Sequence, residues 1–287
     1  MPRRRNWNPC CVPWRSRGRP VRASCSNPVI RHATNRCCWA SGGWPNWVCC
    51  GGRNPRLPMT QAENDYREHV FLGHLRHRHN RSQDRLWSEH QAMQLSFLQR
   101  RGLRPSSTVL DLGCGPMRLG SVLIPELSHG WYYGQDLNAE TLTYGEEVLR
   151  QAGIPSNGRY TLFASDQFNL SAVDRPIEIA FSNSLFSHLN LNSILTCLLR
   201  VRQVLAPGGV YYSTFFAAQP DRPWLDPQPR DKWGQGFCTH PHQDPYHYPP
   251  AVLQAMAAQA GFRMDLMRDF GHPTQTMARF RLRRRWW

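Results

Sequence analysis

Lysine and acid are absent from the first 58 residues of this 287-residue chain, which hold eleven arginines and no Asp, Glu or Lys. That segment carries +11 of the net +15 and leaves +4 for everything after it. A basic balance spread over a whole protein points to nucleic acid or an acidic surface, and one confined to a single end does not. No run of about 18 apolar residues suits a membrane span, and no apolar stretch follows the N-terminal arginines as a secretion signal requires. Seven of the ten cysteines stand in the same segment, as Cys10-Cys11, Cys25, Cys37-Cys38 and Cys49-Cys50, without the C-x₂-C spacing of zinc knuckles. Cys114, Cys197 and Cys238 are too dispersed for a disulfide framework. A reducing cytoplasm is therefore the expected compartment.

Residues 1–58 show no hydrophobic periodicity, and their Arg, Pro, Trp, Gly and Cys resemble translated GC-rich non-coding sequence. The expectation is that they are disordered or foreign to the native protein, with the functional start at Met59. A basic arm for nucleic acid and a zinc or disulfide module are the alternatives. The remainder, 59–287, is expected to be one domain with a helical region over 59–105 and a substrate-side loop over 217–249. An apolar fraction of 40% is enough for a sizeable core.

From Met59 acids appear at once, in Glu63, Asp65 and Glu68. Arg76 to Arg81 read as a solvated charged stretch, with phosphate binding as the alternative. Leu86, His90, Met93 and Phe97 share one helical face that ends near Gly102. Thr108 to Leu112 read as a buried strand that breaks into Gly113-Cys-Gly115, where glycine permits positive φ and close approach to a ligand. A helix over Arg118 to Ser128 is expected to follow, its free N–H groups favouring an anion.

Further strands are predicted over Trp131 to Asp136, Arg159 to Phe163, Ile177 to Phe181 and Val210 to Phe216. Helices are predicted over Ala139 to Ala152 and from Leu191 to Leu205. After the long loop come a helix over Ala251 to Ala260, a strand over Phe262 to Phe270, a turn at Gly271 to Gln275 and a strand to Leu282. This alternation implies right-handed βαβ units and a mostly parallel, seven-stranded sheet, closed by an antiparallel hairpin. Ligands of such sheets bind at the carboxyl ends of the strands, where Asp111, Asp136, Asp166 and Ser182 to Ser184 all fall.

Asp136 follows Gly115 by 21 residues, close to the interval at which an acid accepts from ribose hydroxyls. A dinucleotide fingerprint is missing, because four residues separate Gly115 from Gly120. Asp111 would repel a pyrophosphate and favour an ammonium or a sulfonium. The residues therefore point to a nucleoside ligand with positive charge and no phosphate.

Val-Leu-Asp-Leu-Gly-Cys-Gly115, Gly-Gln-Asp136-Leu, Ala-Ser-Asp166-Gln, Ser-Asn-Ser-Leu-Phe-Ser-His-Leu189 and Val-Arg-Gln-Val-Leu-Ala-Pro-Gly-Gly209 occur in that order. Together they resemble the class I S-adenosylmethionine-dependent methyltransferases, over about Leu86 to Leu282. The resemblance implies a Rossmann-like three-layer α/β sandwich with S-adenosyl-L-methionine as cofactor. It places Asp111, Gly113, Cys114 and Gly115 at the methionine end, Asp136 and Leu137 at the ribose, Asp166, Gln167 and Phe168 at the adenine, and Asn183 beside them. Met117 and Arg118 stand where many members have small residues.

His188 is the first expected general base or acceptor-orienting group, with capping or packing at a helix start as the alternative, and His272 is the second. Cys238, His240, His242 and His247 could ligate a metal, but proline-rich loops commonly carry unligated histidines and no metal is expected. Trp224, Trp233, Phe237, Tyr246 and Tyr248 are expected to form an aromatic lid. The function expected is methyl transfer to an O or N atom of a small or medium-sized acceptor. RNA methylation and a non-catalytic binding protein of the same fold are the alternatives; no membrane partner is expected, and the sequence names neither acceptor nor oligomeric state.

Overall fold

The computed structural model describes residues 81–232 and 235–283. The arginine- and cysteine-rich segment, the chain from Met59 to residue 80 and Trp233 lie outside the described residues. The element order is α1 (Arg81–Arg100), β1 (Thr108–Leu112), α2 (Gly120–Leu123), β2 (Trp131–Asp136), α3 (Ala139–Gln151), β3 (Tyr160–Ala164) and β4 (Ile177–Ser182). Then follow α4 (Leu191–Val204), β5 (Leu205–Ala217), β6 (Gln228–Lys232), β7 (Gln235–Thr239), β8 (His247–Tyr248), α5 (Pro250–Gln259), β9 (Phe262–Met267) and β10 (Thr276–Leu282). Single 3₁₀ turns occupy Ile124–Glu126 and Phe186–His188.

Alternation along the strands produces three layers. Val109, Tyr132, Ile179, Phe181 and Tyr212 turn to one face, where Phe97 and Leu98 of α1, Leu123 of α2 and Leu142 and Leu149 of α3 cover them. Leu110, Tyr133, Ala180 and Tyr211 turn to the other, against Ile194, Leu198 and Val201 of α4 and Leu253 and Ala257 of α5. A sheet buried on both faces needs apolar side chains at successive positions, as in Val109-Leu110.

The path through the sheet is β3-β2-β1-β4-β5-β10-β9. β1 pairs in parallel with β2 and with β4, while β10 is antiparallel to both β5 and β9. The predicted hairpin is thus present, with its second strand inserted between β5 and the edge. The order reverses between β1 and β4, and the loops that leave these two strands open a crevice at their carboxyl ends.

Helix ends follow local chemistry. The Asn138 side chain caps α3 by accepting from the amides of Glu140 and Thr141 at 2.8 and 3.4 Å, and Asn190 caps α4 by accepting from Ser193 at 3.0 Å.

Two expectations need correction. The helix predicted over Arg118 to Ser128 is only α2, because the chain turns through Pro116 to Leu119 with Met117 at φ +63°. It then tightens into the 3₁₀ turn at Pro125, which has no N–H to continue an α-helix. Residues 217–249 are also more ordered than their composition predicts. β6 and β7 form a separate hairpin, and β8 adds to the main sheet by pairing Phe216 with His247 and Ala217 with Tyr248.

His247 is fully buried and holds that excursion together. Its Nε2 donates to the Trp224 carbonyl at 2.9 Å, and its Nδ1 pairs with Thr239 Oγ1 at 2.9 Å. His247→Leu keeps an apolar fit and removes both ties. The expected outcome is a loss of about 1–3 kcal/mol with faster amide exchange between Trp224 and Tyr248 and unchanged protection in β1 and β4; unchanged exchange in the excursion would contradict this role.

Candidate functional site

β1 delivers the chain into a turn that is tied to the end of its neighbour β2. The amides of Gly113 and Cys114 both donate to the Gln135 carbonyl, at 2.8 and 3.0 Å. The amide of Gly115 donates to Asp136 Oδ2 at 2.9 Å, and Asp136 Oδ1 accepts from the Asn138 amide at 3.0 Å. Gly113 and Gly115 have φ of +67° and +56°, which residues with a Cβ adopt only under strain. A Cβ at Gly113 would also stand 3.1 Å from Leu185 Cδ1.

These bonds overturn the expectation of an anion-binding helix start. All three amides of the turn already have partners, and α2 begins five residues beyond Gly115 with only four residues of its own. The turn therefore does not present a set of free donors.

Beneath it, Asp111 is buried and accepts the Tyr132 hydroxyl at 2.7 Å. Loss of hydration raises its pKa to about 7, the Tyr132 hydrogen bond opposes this, and the Asp136 charge adds to it. Asp136 is also raised by burial, against the pull of its backbone donors. Burial, Asp136 and Asp111 together keep the Cys114 thiol protonated.

The other predicted rim residues take different postures. Leu137 and Asn183 are half-buried, whereas Asp166 and Gln167 are exposed. Phe168 packs into the core beside Leu170, with φ at +53°. Asn183 Nδ2 donates to Ser184 Oγ at 3.3 Å, while its Oδ1 is shut off from solvent without a partner. Met117, Phe168 and Ser184 are the non-glycine residues of positive φ among those described, and each follows a strand that ends at this rim. Strain of this kind persists where surrounding structure enforces it, and it clusters at ligand sites.

His188 closes the 3₁₀ turn after β4, and its Nδ1 lies 2.6 Å from Asp244 Oδ1. The Tyr246 amide donates to the Ser187 carbonyl at 2.7 Å, so the segment bearing Asp244 is docked against the same turn. His272 Nδ1 accepts from the amides of Thr274 and Gln275 at 3.2 and 3.0 Å. Its neutral ring therefore carries the proton on Nε2.

The aromatic residues expected as a lid differ in burial. Tyr248 is buried and donates to the Leu189 carbonyl at 2.7 Å, while Trp224, Phe237 and Tyr246 are half-buried. Among the described residues, no group of three or more His, Cys, Asp or Glu side chains could hold a metal. No described helix is long and apolar enough to cross a membrane.

Sequence reasoning missed Ser165, Gln135 and Asp244. Ser165 Oγ accepts from the Gln167 and Asn169 amides at 3.4 and 2.7 Å, and Gln135 Nε2 donates to the Ser165 carbonyl at 2.7 Å, shaping the loop after β3. A serine two residues before a polar loop position is a recognisable turn signal; the Gln135 and Asp244 contacts have no local signature.

Asp111 gives a pH signature. Its folded pKa near 7 lies above the unfolded value of about 3.9. The folded state therefore binds the proton more tightly, and this contribution to stability is complete below about pH 4 and is lost as pH rises towards 7. Asp111→Asn is expected to flatten that fall in the ligand-free protein and to exceed the parent in stability above pH 7, measured by denaturant unfolding at several pH values. An unchanged pH slope would contradict the assignment.

Residues 109–209 match the family model described as a methyltransferase domain. Solved structures share the fold. The complex of DhpI with S-adenosylhomocysteine is 18% identical with a TM-score of 0.52, over 78% of this chain and 96% of that one. Magnesium protoporphyrin IX methyltransferase from Synechocystis, with bound S-adenosylhomocysteine, is 12% identical with a TM-score of 0.53, over 76% and 98%. An S-adenosylmethionine-dependent methyltransferase from Clostridium acetobutylicum is 14% identical with a TM-score of 0.51, over 77% and 98%. The family match over residues 109–209, with the strand order and the tied glycine turn, marks a methyltransferase domain on a Rossmann-like fold.

Proposed function

We propose that the protein binds S-adenosylmethionine along the rim and transfers its methyl group to an O or N atom of a small or medium-sized acceptor. The observation that carries this reading is the glycine turn tied through Gly115 to Asp136, on the strand next to Asp111. The amino-acid end of the cofactor would lie against the backbone of Gly113 to Gly115. Each oxygen of Asp136 accepts one amide and keeps lone-pair capacity for a ribose hydroxyl. Asp166, Gln167 and the strained backbone at Phe168 suit the edge of the adenine, with Leu137 and Asn183 alongside.

When bound, the cofactor supplies an electrophilic methyl on a sulfonium. The protein's part is to hold an acceptor lone pair in line with it, and positioning of this sort can supply roughly 7–11 kcal/mol. An acceptor that keeps its proton at neutral pH also needs a base. Asp244 orients His188 by taking the hydrogen on Nδ1, which leaves Nε2 of the neutral ring as the accepting nitrogen. His272 has the opposite polarity, since its Nδ1 is occupied by two amides, and its Nε2–H suits an acceptor-orienting donor.

One structure of the same fold is named for a porphyrin acceptor. In calorimetry, S-adenosylhomocysteine is expected to bind the full chain, and Asp136→Ala to weaken it roughly tenfold or more through lost hydrogen bonds to a charge. With a radiolabelled methyl donor and a panel of phenols, carboxylates and amines, His188→Ala is expected to lower turnover of a protonated acceptor by about 10²-fold or more at unchanged S-adenosylhomocysteine affinity. Absence of cofactor binding, or equal binding by Asp136→Ala, would overturn the proposal.

A further inference from the structure

Arg118 leaves the glycine turn towards α1. Its guanidinium carbon lies 4.7 Å from the centroid of the Trp87 ring, and its Nη1 lies 3.1 Å from His90 Nδ1. Arginine only donates, so His90 accepts through Nδ1 and is a neutral imidazole in this contact. The Arg118 carbonyl accepts from Gln91 Nε2 at 2.9 Å, which fixes the backbone as well.

Among the described residues the guanidinium has no counter-ion. Its Nε is shut off from solvent with no hydrogen-bond partner. Burial accordingly lowers its pKa to about 10. By contrast, Arg279 and Arg281 share Asp265 at 3.1 and 2.9 Å, and Arg230, which also has no ion pair among the described residues, donates to the Ala217 carbonyl and to Gln228. Arg118 is half-buried; a partly desolvated cation without an anion destabilises a fold, and a ligand's negative charge would reduce that penalty.

The neighbours indicate which ligand. The His90 ring lies 5.8 Å from that of His272, which stacks on Phe270. His272 accepts the Gln275 amide, and Gln275 Nε2 donates to Ser184 Oγ at 3.0 Å. These contacts lead from the turn onto the β4 and β10 half of the sheet, across the crevice from Asp136 and Asp166. Apart from Asn183, the residues assigned above to the cofactor lie in or after β1, β2 and β3, so the contacts of Arg118 lead towards the acceptor's side.

We propose that Arg118 binds a carboxylate carried by the methyl acceptor, in a niche walled by Trp87, His90 and His272. The assignment rests on the rim being the cofactor site. A planar guanidinium fork matches a carboxylate in two parallel hydrogen bonds, and the surrounding rings suit a flat apolar body.

The test uses the full chain saturated with S-adenosylhomocysteine, titrated by calorimetry with benzoate and with benzamide, its neutral counterpart. Benzoate is expected to bind roughly tenfold or more tightly than benzamide. Arg118→Gln should erase that preference while S-adenosylhomocysteine affinity changes less than about twofold, and Arg118→Lys should keep part of it. Equal binding of the two probes by the parent protein, which needs no variant, would overturn the proposal. So would an Arg118→Gln variant that loses S-adenosylhomocysteine affinity but holds 5′-methylthioadenosine normally, because the guanidinium would then serve the cofactor's own carboxylate. If the parent binds no S-adenosylhomocysteine, the cofactor reading falls by itself. The benzoate and benzamide titrations of the ligand-free parent and Arg118→Gln then decide the carboxylate site by the same preference.

Discussion

The end of β2 holds the turn that follows β1, and the rim is arranged around that tie. Gln135 receives two amides of the turn through its carbonyl, and Asp136 receives a third through its carboxylate. Hydrogen bonds to a charged acceptor are about twice as strong as neutral ones, so the carboxylate shapes the turn and keeps lone-pair capacity beyond its amide bonds. The same residues reach onward, because Gln135 Nε2 bonds the Ser165 carbonyl and the Ser165 amide bonds the Asp136 carbonyl, at 2.7 and 2.9 Å. One strand end thus orders the loops after β1, β2 and β3.

This arrangement concentrates unfavourable features in one place. Asp111 and Asp136 are both buried with raised pKa values, and three non-glycine residues at the rim have positive φ. Each raises the energy of the ligand-free fold, and the two apolar layers on either side of the sheet offset it. A ligand that presents positive charge near the acids and hydroxyls to Asp136 would find these groups already positioned, with little ordering left to do on binding.

Much of this was legible in the residues. The alternation of apolar strands with amphipathic helices located every strand of the seven-stranded path, and Thr108 to Leu112 and Trp131 to Asp136 were bounded to the residue. The acids fell at strand ends for the same reason that they now share a rim. What could not be read was pairwise. Nothing local in Gly113-Cys-Gly115 says that its amides are taken by β2, and nothing in Met117 says that positive φ there shortens α2. The loop over 217–249 was misread because a two-residue strand such as His247-Tyr248 has no period to detect. His247, a common metal ligand by residue type, is instead a buried tie between Thr239 and Trp224.

The central claim is that the tied turn and the acids beside it form the cofactor site. The most direct measurement is a crystal structure of the full chain with S-adenosylhomocysteine. The account predicts the amino-acid end of the ligand against the backbone of Gly113 to Gly115, and its ribose hydroxyls on Asp136 with the tie to Gly115 intact. A ligand bound away from β1 and β2, or one that reaches the ribose without Asp136, would contradict it.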